Sequence, residues 1–223
     1  MHSDSAKGSA LSTDDLLKAY TLGYFPMSEG RNDPDVFWVL PEHRGAMPIR
    51  DFRASRSIRK LVRQDVFEVR INSDFRGTMC ACAEMRNGRE DTWINQRILE
   101  TYCELFEMGF AHSVEAWQDD RMVGGLYGVS LGGAFFGESM FSRVNNASKV
   151  ALVHLAGRLI AGGYRLLDTQ FYTEHLSQFG VEEIPKITYQ KWLDEALSYR
   201  GDFYALPQSV GGSTILQSIT QTS

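Results

Sequence analysis

The seven residues Gly137-Glu138-Ser139-Met140-Phe141-Ser142-Arg143 set a carboxylate, two hydroxyls and a guanidinium between the strand-like run Gly133-Ala134-Phe135-Phe136 and an apolar helix that begins near Ala147. Folds often expose reactive groups where a strand gives way to a helix, so chemistry is expected here. A second polar group, Asp168-Thr169-Gln170, ends the strand-like run that starts at Tyr164. Carboxylate and carboxamide groups can orient an attacking nucleophile or take up its proton. His112 and Glu115 do not add a metal pair, because on a strand their spacing puts them on opposite faces. Cys80, Cys82 and Cys103 show no CxxC spacing, which argues against a zinc site and a disulfide framework and for a reducing, cytoplasmic compartment.

The elements that must position these groups follow from periodicity. Ser12-Thr13-Asp14-Asp15 reads as a helix start through Tyr20, ended by Gly23. An aromatic, turn-rich stretch follows, then a strand over Val66–Ile71 and helices over Phe75–Met85 and from Trp93 to Met108. His112–Trp117, Met122–Val129 and Ala134–Phe136 alternate as an antiparallel meander, with a hairpin turn at Gln118–Arg121. A helix over Ala147–Ala161, a returning strand to Asp168 and a helix or turn at Thr173–Phe179 complete an α+β pattern of acyltransferase type.

Composition narrows the partners. The 223 residues are 43% hydrophobic, enough for a sizeable core, and no run is long and apolar enough for a membrane span. Met1 to Leu11 lack the pattern of a secretion signal. The net charge of −5 hides a local balance of +5 between Arg50 and Arg63. On a helix, Arg56, Arg59, Lys60 and Arg63 share one face while Ile58, Leu61 and Val62 share the other, as a phosphate-binding surface requires.

Phe25-Pro26-Met27, Trp38 with Arg44, Trp93-Ile94, Ala111 to Trp117, Val123 to Gly128, Gly137 to Arg143 and Asp168-Thr169-Gln170 stand in a characteristic order and spacing. Over roughly Leu16 to Trp192 the chain thereby resembles the leucyl/phenylalanyl-tRNA–protein transferases. Val39-Leu40 departs from the Trp-Ser, and Thr169 from the Cys, of many members. The resemblance implies a small N-terminal region (1–64) with an aromatic entrance and a basic helix. A GNAT-like catalytic domain with a mainly antiparallel sheet (65–200) and a polar tail (201–223) would follow.

The same resemblance implies transfer of leucine or phenylalanine from aminoacyl-tRNA to the N-terminal Arg or Lys of proteins, marking them for N-end-rule degradation. Gln170 would stand beside the attacking amine, with Asp168 supporting it and Glu138 in the polar site. Leu126, Phe135, Leu152, Leu155, Leu159 and Leu167 would form the amino-acid pocket. Trp38 and Trp93 would stack on the tRNA's terminal adenosine, and Arg56, Arg59, Lys60 and Arg63 would meet acceptor-stem phosphates. Because an aminoacyl ester is already activated, a positioned neutral amine attacks it without a triad, metal or cofactor. A monomer without membrane association is expected. An acetyl-CoA N-acetyltransferase would share the fold, but the Arg143–Lys149 segment lacks the glycines of a pyrophosphate loop. A noncatalytic RNA-binding protein would not need Glu138, Asp168 and Gln170 to converge.

Overall fold

The computed structural model describes residues 11–85 and 91–220. The polar opening through Ala10 and the final three residues of the expected tail lie outside the described residues. Helix α1 (Thr13–Thr21) starts where the sequence predicts: Ser12 Oγ accepts a hydrogen bond from the Asp15 amide at 3.1 Å, and Asp14 and Asp15 lie in the first turn. It buries Leu16 and Tyr20. Strands β1 (Phe25–Met27) and β2 (Phe37–Val39) pair as a small antiparallel ribbon. Strand β3 (His43–Pro48) and the basic helix α2 (Arg56–Arg63) come next.

After β4 (Glu68–Ile71) come α3 (Phe75–Cys82) and α4 (Gln96–Glu107), then the meander β5 (Ala111–Gln118), β6 (Arg121–Leu131) and β7 (Ala134–Ser142). Helix α5 (Ala147–Ala161) crosses over to β8 (Leu166–Gln170). The chain finishes with α6 (Glu174–Ser177), β9 (Glu182–Pro185), α7 (Lys186–Leu197) and α8 (Gly212–Thr220). No described helix is long and apolar enough to cross a membrane.

Among the described residues the main sheet has seven strands in the order β4-β5-β6-β7-β8-β3-β9. All neighbours are antiparallel except β7 and β8, which run parallel because α5 carries the chain back across the sheet. Side chains alternate between the faces, so adjacent residues serve two cores. Leu126 and Phe135 join the cluster under α2, α5 and α8, whereas Tyr127 and Phe136 join the cluster under α1, α3, α4 and α7.

Three expectations change. The strand expected to end at Phe136 does not stop before Gly137–Arg143: β7 runs to Ser142, held in register with β6 through Gly124↔Ser142. β3 is an inner strand of the main sheet between β8 and β9, so the sheet crosses the boundary expected at residue 64. The segment after Gly201 is not simply a polar tail. Its α8 buries Ile215, Leu216 and Ile219 against the core, and Arg158 donates to the carbonyls of Phe203, Leu206 and Pro207 at 2.5–3.0 Å.

Candidate active site

β7 and β8 form a fork. Their pairing ends at Phe136↔Asp168; beyond it β7 stays with β6, while β8 stays with β3. Glu138 and Gln170 lie two residues past that last pair on the two strands, facing the gap. Each strand also carries an irregularity there. Tyr127 is opposite Ser139 and Gly128 opposite Gly137, which leaves Glu138 as the extra residue of a bulge. Gly45 is opposite Gln170 and Ala46 opposite Asp168, so Thr169 is likewise extra. Bulges of this kind re-aim side chains beside functional sites. They also need room: a Cβ on Gly128 would lie 2.3 Å from the Phe136 carbonyl oxygen, and one on Gly45 would lie 2.4 Å from the Phe171 backbone.

Gln170 itself has φ 62°, and the Phe171 amide donates to the Thr169 carbonyl at 2.7 Å, closing a three-residue turn around it. Such a backbone costs a non-glycine residue energy and persists where its surroundings enforce it. Here the Gln170 amide donates to Asp168 Oδ1 at 2.8 Å, and Thr169 Oγ1 donates to the Gly45 carbonyl at 2.9 Å. The result fixes the carboxamide over the fork.

The carboxamide meets a buried carboxylate. Gln170 Nε2 donates to Glu138 Oε1 at 2.9 Å, Tyr20 Oη donates to the same oxygen at 2.6 Å, and Tyr102 Oη donates to Oε2 at 3.0 Å. The two tyrosine hydroxyls also lie within hydrogen-bond reach of each other, so two hydroxyl hydrogens serve three contacts among Tyr20, Tyr102 and Glu138. Burial pushes the Glu138 carboxyl up to about 7, against the opposing pull of its three donors. Burial, then the nearby Glu138 charge, raises both tyrosines well above their usual range, so they stay protonated donors.

Asp168 is engaged differently. Arg44 grips it with both ends of its fork, Nε to Oδ1 at 2.9 Å and Nη2 to Oδ2 at 2.7 Å, with both side chains fully buried. Tyr189 Oη donates to Oδ2 at 2.6 Å, and the Arg44 guanidinium lies between the rings of Phe25 and Tyr189. Burial alone would lower the Arg44 pKa, but Asp168 reverses this and holds it raised. Tyr20, Tyr102 and Tyr189 thus join the candidate site without any local sequence pattern to single them out, as does Arg44 apart from its place in the family motifs. Their partners lie far away in the chain.

Beside Glu138 is an apolar cavity of about 120 Å³, lined in part by Leu126, Leu152, Leu155 and Leu167. That is near the roughly 150 Å³ that accommodates benzene in an apolar protein interior. Met140 and Leu176 also line it, whereas Phe135 and Leu159, expected in the pocket, are fully buried core outside its lining. The cause is directional: Leu152 and Leu155 point to the fork, and Leu159 is a further turn along α5, beyond its reach.

The two tryptophans lie on the N-terminal side. Trp38 is opposite Pro26 on the β1–β2 ribbon and is 39% exposed. Trp93 packs on the second core cluster ahead of α4, and its carbonyl accepts from Ser28 Oγ at 2.8 Å. On α2, Ile58 and Val62 are buried while Arg56, Lys60 and Arg63 are exposed and Arg59 is half-buried. The helix docks by its apolar side and turns its cations outward.

An apolar cavity of amino-acid size thus ends on a clamped carboxylate–carboxamide pair in a mixed α+β fold, the features of a candidate small-molecule site. The Leucyl/phenylalanyl-tRNA protein transferase family model matches residues 46–194, and the model of that family's N-terminal domain matches residues 9–42. The chain belongs to the leucyl/phenylalanyl-tRNA–protein transferase family. It is 56% identical over 210 residues to the leucyl/phenylalanyl-tRNA–protein transferase of Maricaulis maris (strain MCS10), covering 94% of this chain and 97% of that protein. With the proteins of the same name from Phenylobacterium zucineum (strain HLK1) and Caulobacter vibrioides (strain NA1000 / CB15N) it shares 56% and 52% identity, over 94% and 96% of this chain and 97% and 99% of theirs. Among solved structures, L-PGS from Bacillus licheniformis overlaps 81% of this chain and 62% of its own at 10% identity and a TM-score of 0.39.

Proposed function

We propose that the chain transfers leucine or phenylalanine from aminoacyl-tRNA to the N-terminal Arg or Lys of acceptor proteins, forming a peptide bond and marking them for N-end-rule degradation. The observation that carries this reading is the apolar cavity set directly against the Glu138–Gln170 pair. The leucyl or phenylalanyl side chain occupies the cavity, which leaves its ester carbonyl at the fork. The α-amine of the acceptor attacks that carbonyl carbon; a C–N bond forms, the C–O bond to the ribose breaks, and the ribose oxygen leaves with a proton. Because Gln170 Nε2 is committed to Glu138, its Oε1 is the end that accepts a hydrogen from the attacking amine and aims the nitrogen lone pair. Glu138 and Asp168 are positioning residues in this scheme, one fixing the Gln170 side chain and the other its backbone.

The remaining assignments rest on the same reading. Trp38 and Trp93 stack on the terminal adenosine, and Arg56, Arg59, Lys60 and Arg63 meet acceptor-stem phosphates. The parallel strand pair that splays at the site supports a GNAT-like fold, with residues 1–64, the aromatic entrance and the basic helix, as the smaller N-terminal region, whose β3 joins the main sheet. Glu138, Asp168, Gln170 and the cavity come from one chain, so a monomer suffices. The free cysteines accord with a reducing cytoplasm. Incubation with leucyl-tRNA and peptides beginning Arg, Lys, Asp or Ala tests the function: one added leucine is expected on the first two alone. Addition to all four, or to none, refutes it.

A further inference from the structure

A second cavity, of about 290 Å³, opens at the start of α5 and is lined by Ser142, Arg143, Asn146, Ser148, Lys149 and His175, among others. It adjoins the apolar cavity through three elements. On α5, Ser148 shares a face with Leu152 and Leu155; on β7, Ser142 follows Met140; on α6, His175 precedes Leu176. Its lining includes no carboxylate.

The cavity is built for an anion in several ways. Asn146 caps α5 with its backbone at φ 69° and offers no side-chain cap, so the positive end of a 15-residue helix faces the space. Ser148 is 5% exposed, its amide is taken up by Ser142 Oγ at 3.3 Å, and among the described residues its hydroxyl has no partner. The Ser148 hydroxyl opens on the cavity, where a ligand oxygen can take its hydrogen. Lys149 pairs with no described carboxylate, and its charge reaches His175, whose pKa is lowered by burial and then by Lys149. Arg143 adds a guanidinium, shared with Glu84. The acceptor in this reaction brings a cationic N-terminus, so a cationic cavity beside the acyl site suits the donor.

Resting on the function proposed above, we propose that the Ser148–Lys149 cavity is a subsite for one phosphodiester of the donor's single-stranded 3′ end, distinct from the stem phosphates facing α2. The probes are puromycin, which lacks a phosphodiester, and cytidylyl-(3′→5′)-puromycin, which has one. Binding of each is measured by calorimetry, and transfer to an N-terminal Arg peptide is measured beside it. The native protein is expected to bind the dinucleotide more tightly. Lys149→Ala should shrink that preference by about tenfold, the worth of one charge-assisted hydrogen bond, and Ser148→Ala should shrink it in part. Lys149→Met, which keeps the alkyl stem, serves if the Ala variant loses its native circular dichroism. A preference that survives both Lys149 variants, or no preference in the native protein, overturns the subsite. Failure of every donor to transfer strikes the transferase reading instead, while the ratio of the two binding constants still decides the subsite.

Discussion

Gln170 Nε2 donates to Glu138 Oε1 across a gap that no backbone hydrogen bond of β7 and β8 closes. The side chains do there what the ladder does elsewhere, and in doing so they fix the carboxamide. One nitrogen is spent on structure, and one oxygen is left for the acceptor amine.

Gln170→Ala is therefore expected to lower kcat by about 100-fold, the usual cost of losing one positioned group at a reaction centre, with little loss of tRNA affinity. Gln170→Glu sets a second carboxylate against Glu138 and holds the amine as ammonium, so activity should fall and its pH optimum rise. Retained rate near neutral pH in the Glu variant would show that the group at this position takes the proton itself.

Glu138 supplies a pH signature. Its carboxyl rises from an ordinary 4.5 to about 7, so between those values the folded protein holds a proton that the unfolded chain has released. This contribution to stability is complete below about 4.5, is lost as pH rises through 7 and is level above; the shift corresponds to about 3 kcal/mol. Glu138→Gln should flatten the fall in denaturation midpoint over that window and weaken the acid limb of kcat. Identical pH slopes in the two proteins would contradict the assignment.

The Arg44–Asp168 pair is dry and complete, so breaking one side leaves the other charge buried. Arg44→Met is expected to destabilise by about 3–5 kcal/mol, read from urea unfolding, and Asp168→Asn added to it should recover part of the loss. Additive losses would mean that the pair is not the reason for the cost.

Replacing Arg56, Arg59, Lys60 and Arg63 with Ala should raise KM for aminoacyl-tRNA and reduce the slope of log affinity against log salt by about one for each phosphate that a cation no longer neutralises. The apolar face of α2 stays intact, so the melting temperature should move little. An unchanged salt slope would remove α2 from the interface.

Leu155→Ala enlarges the cavity and should penalise leucine more than phenylalanine, shifting discrimination by about 1–3 kcal/mol. Competition between the two charged tRNAs measures it. Equal penalties with a lowered melting temperature would make Leu155 plain core.

Local signals in the sequence revealed local structure. The Ser12 cap, the meander from His112, the long apolar helix and the two-faced α2 were legible because each depends on neighbours within a few residues. The strand was expected to stop at Phe136, before Gly137–Arg143, because the polar residues of that stretch lie in a bulged strand, and a bulge has no short-range signature. β3 was hidden because the partner that lets Arg44 be buried, Asp168, lies more than a hundred residues on. Tyr20 and Tyr102 looked like ordinary apolar-face residues, since nothing within α1 or α4 announces that their hydroxyls meet. Glu138, Asp168 and Gln170 stood out through their chemistry and through the family resemblance.

β3 leaves the ribosome early yet lies between β8 and β9, so its partners are synthesised last. Sheets closed by such distant segments fold slowly. Arg44 and Asp168, 124 residues apart, cannot neutralise each other until then. The candidate site and the closure of the main sheet therefore depend on the same late strands, since the segments that bring Arg44 to Asp168 and Glu138 to Gln170 are far apart in the chain.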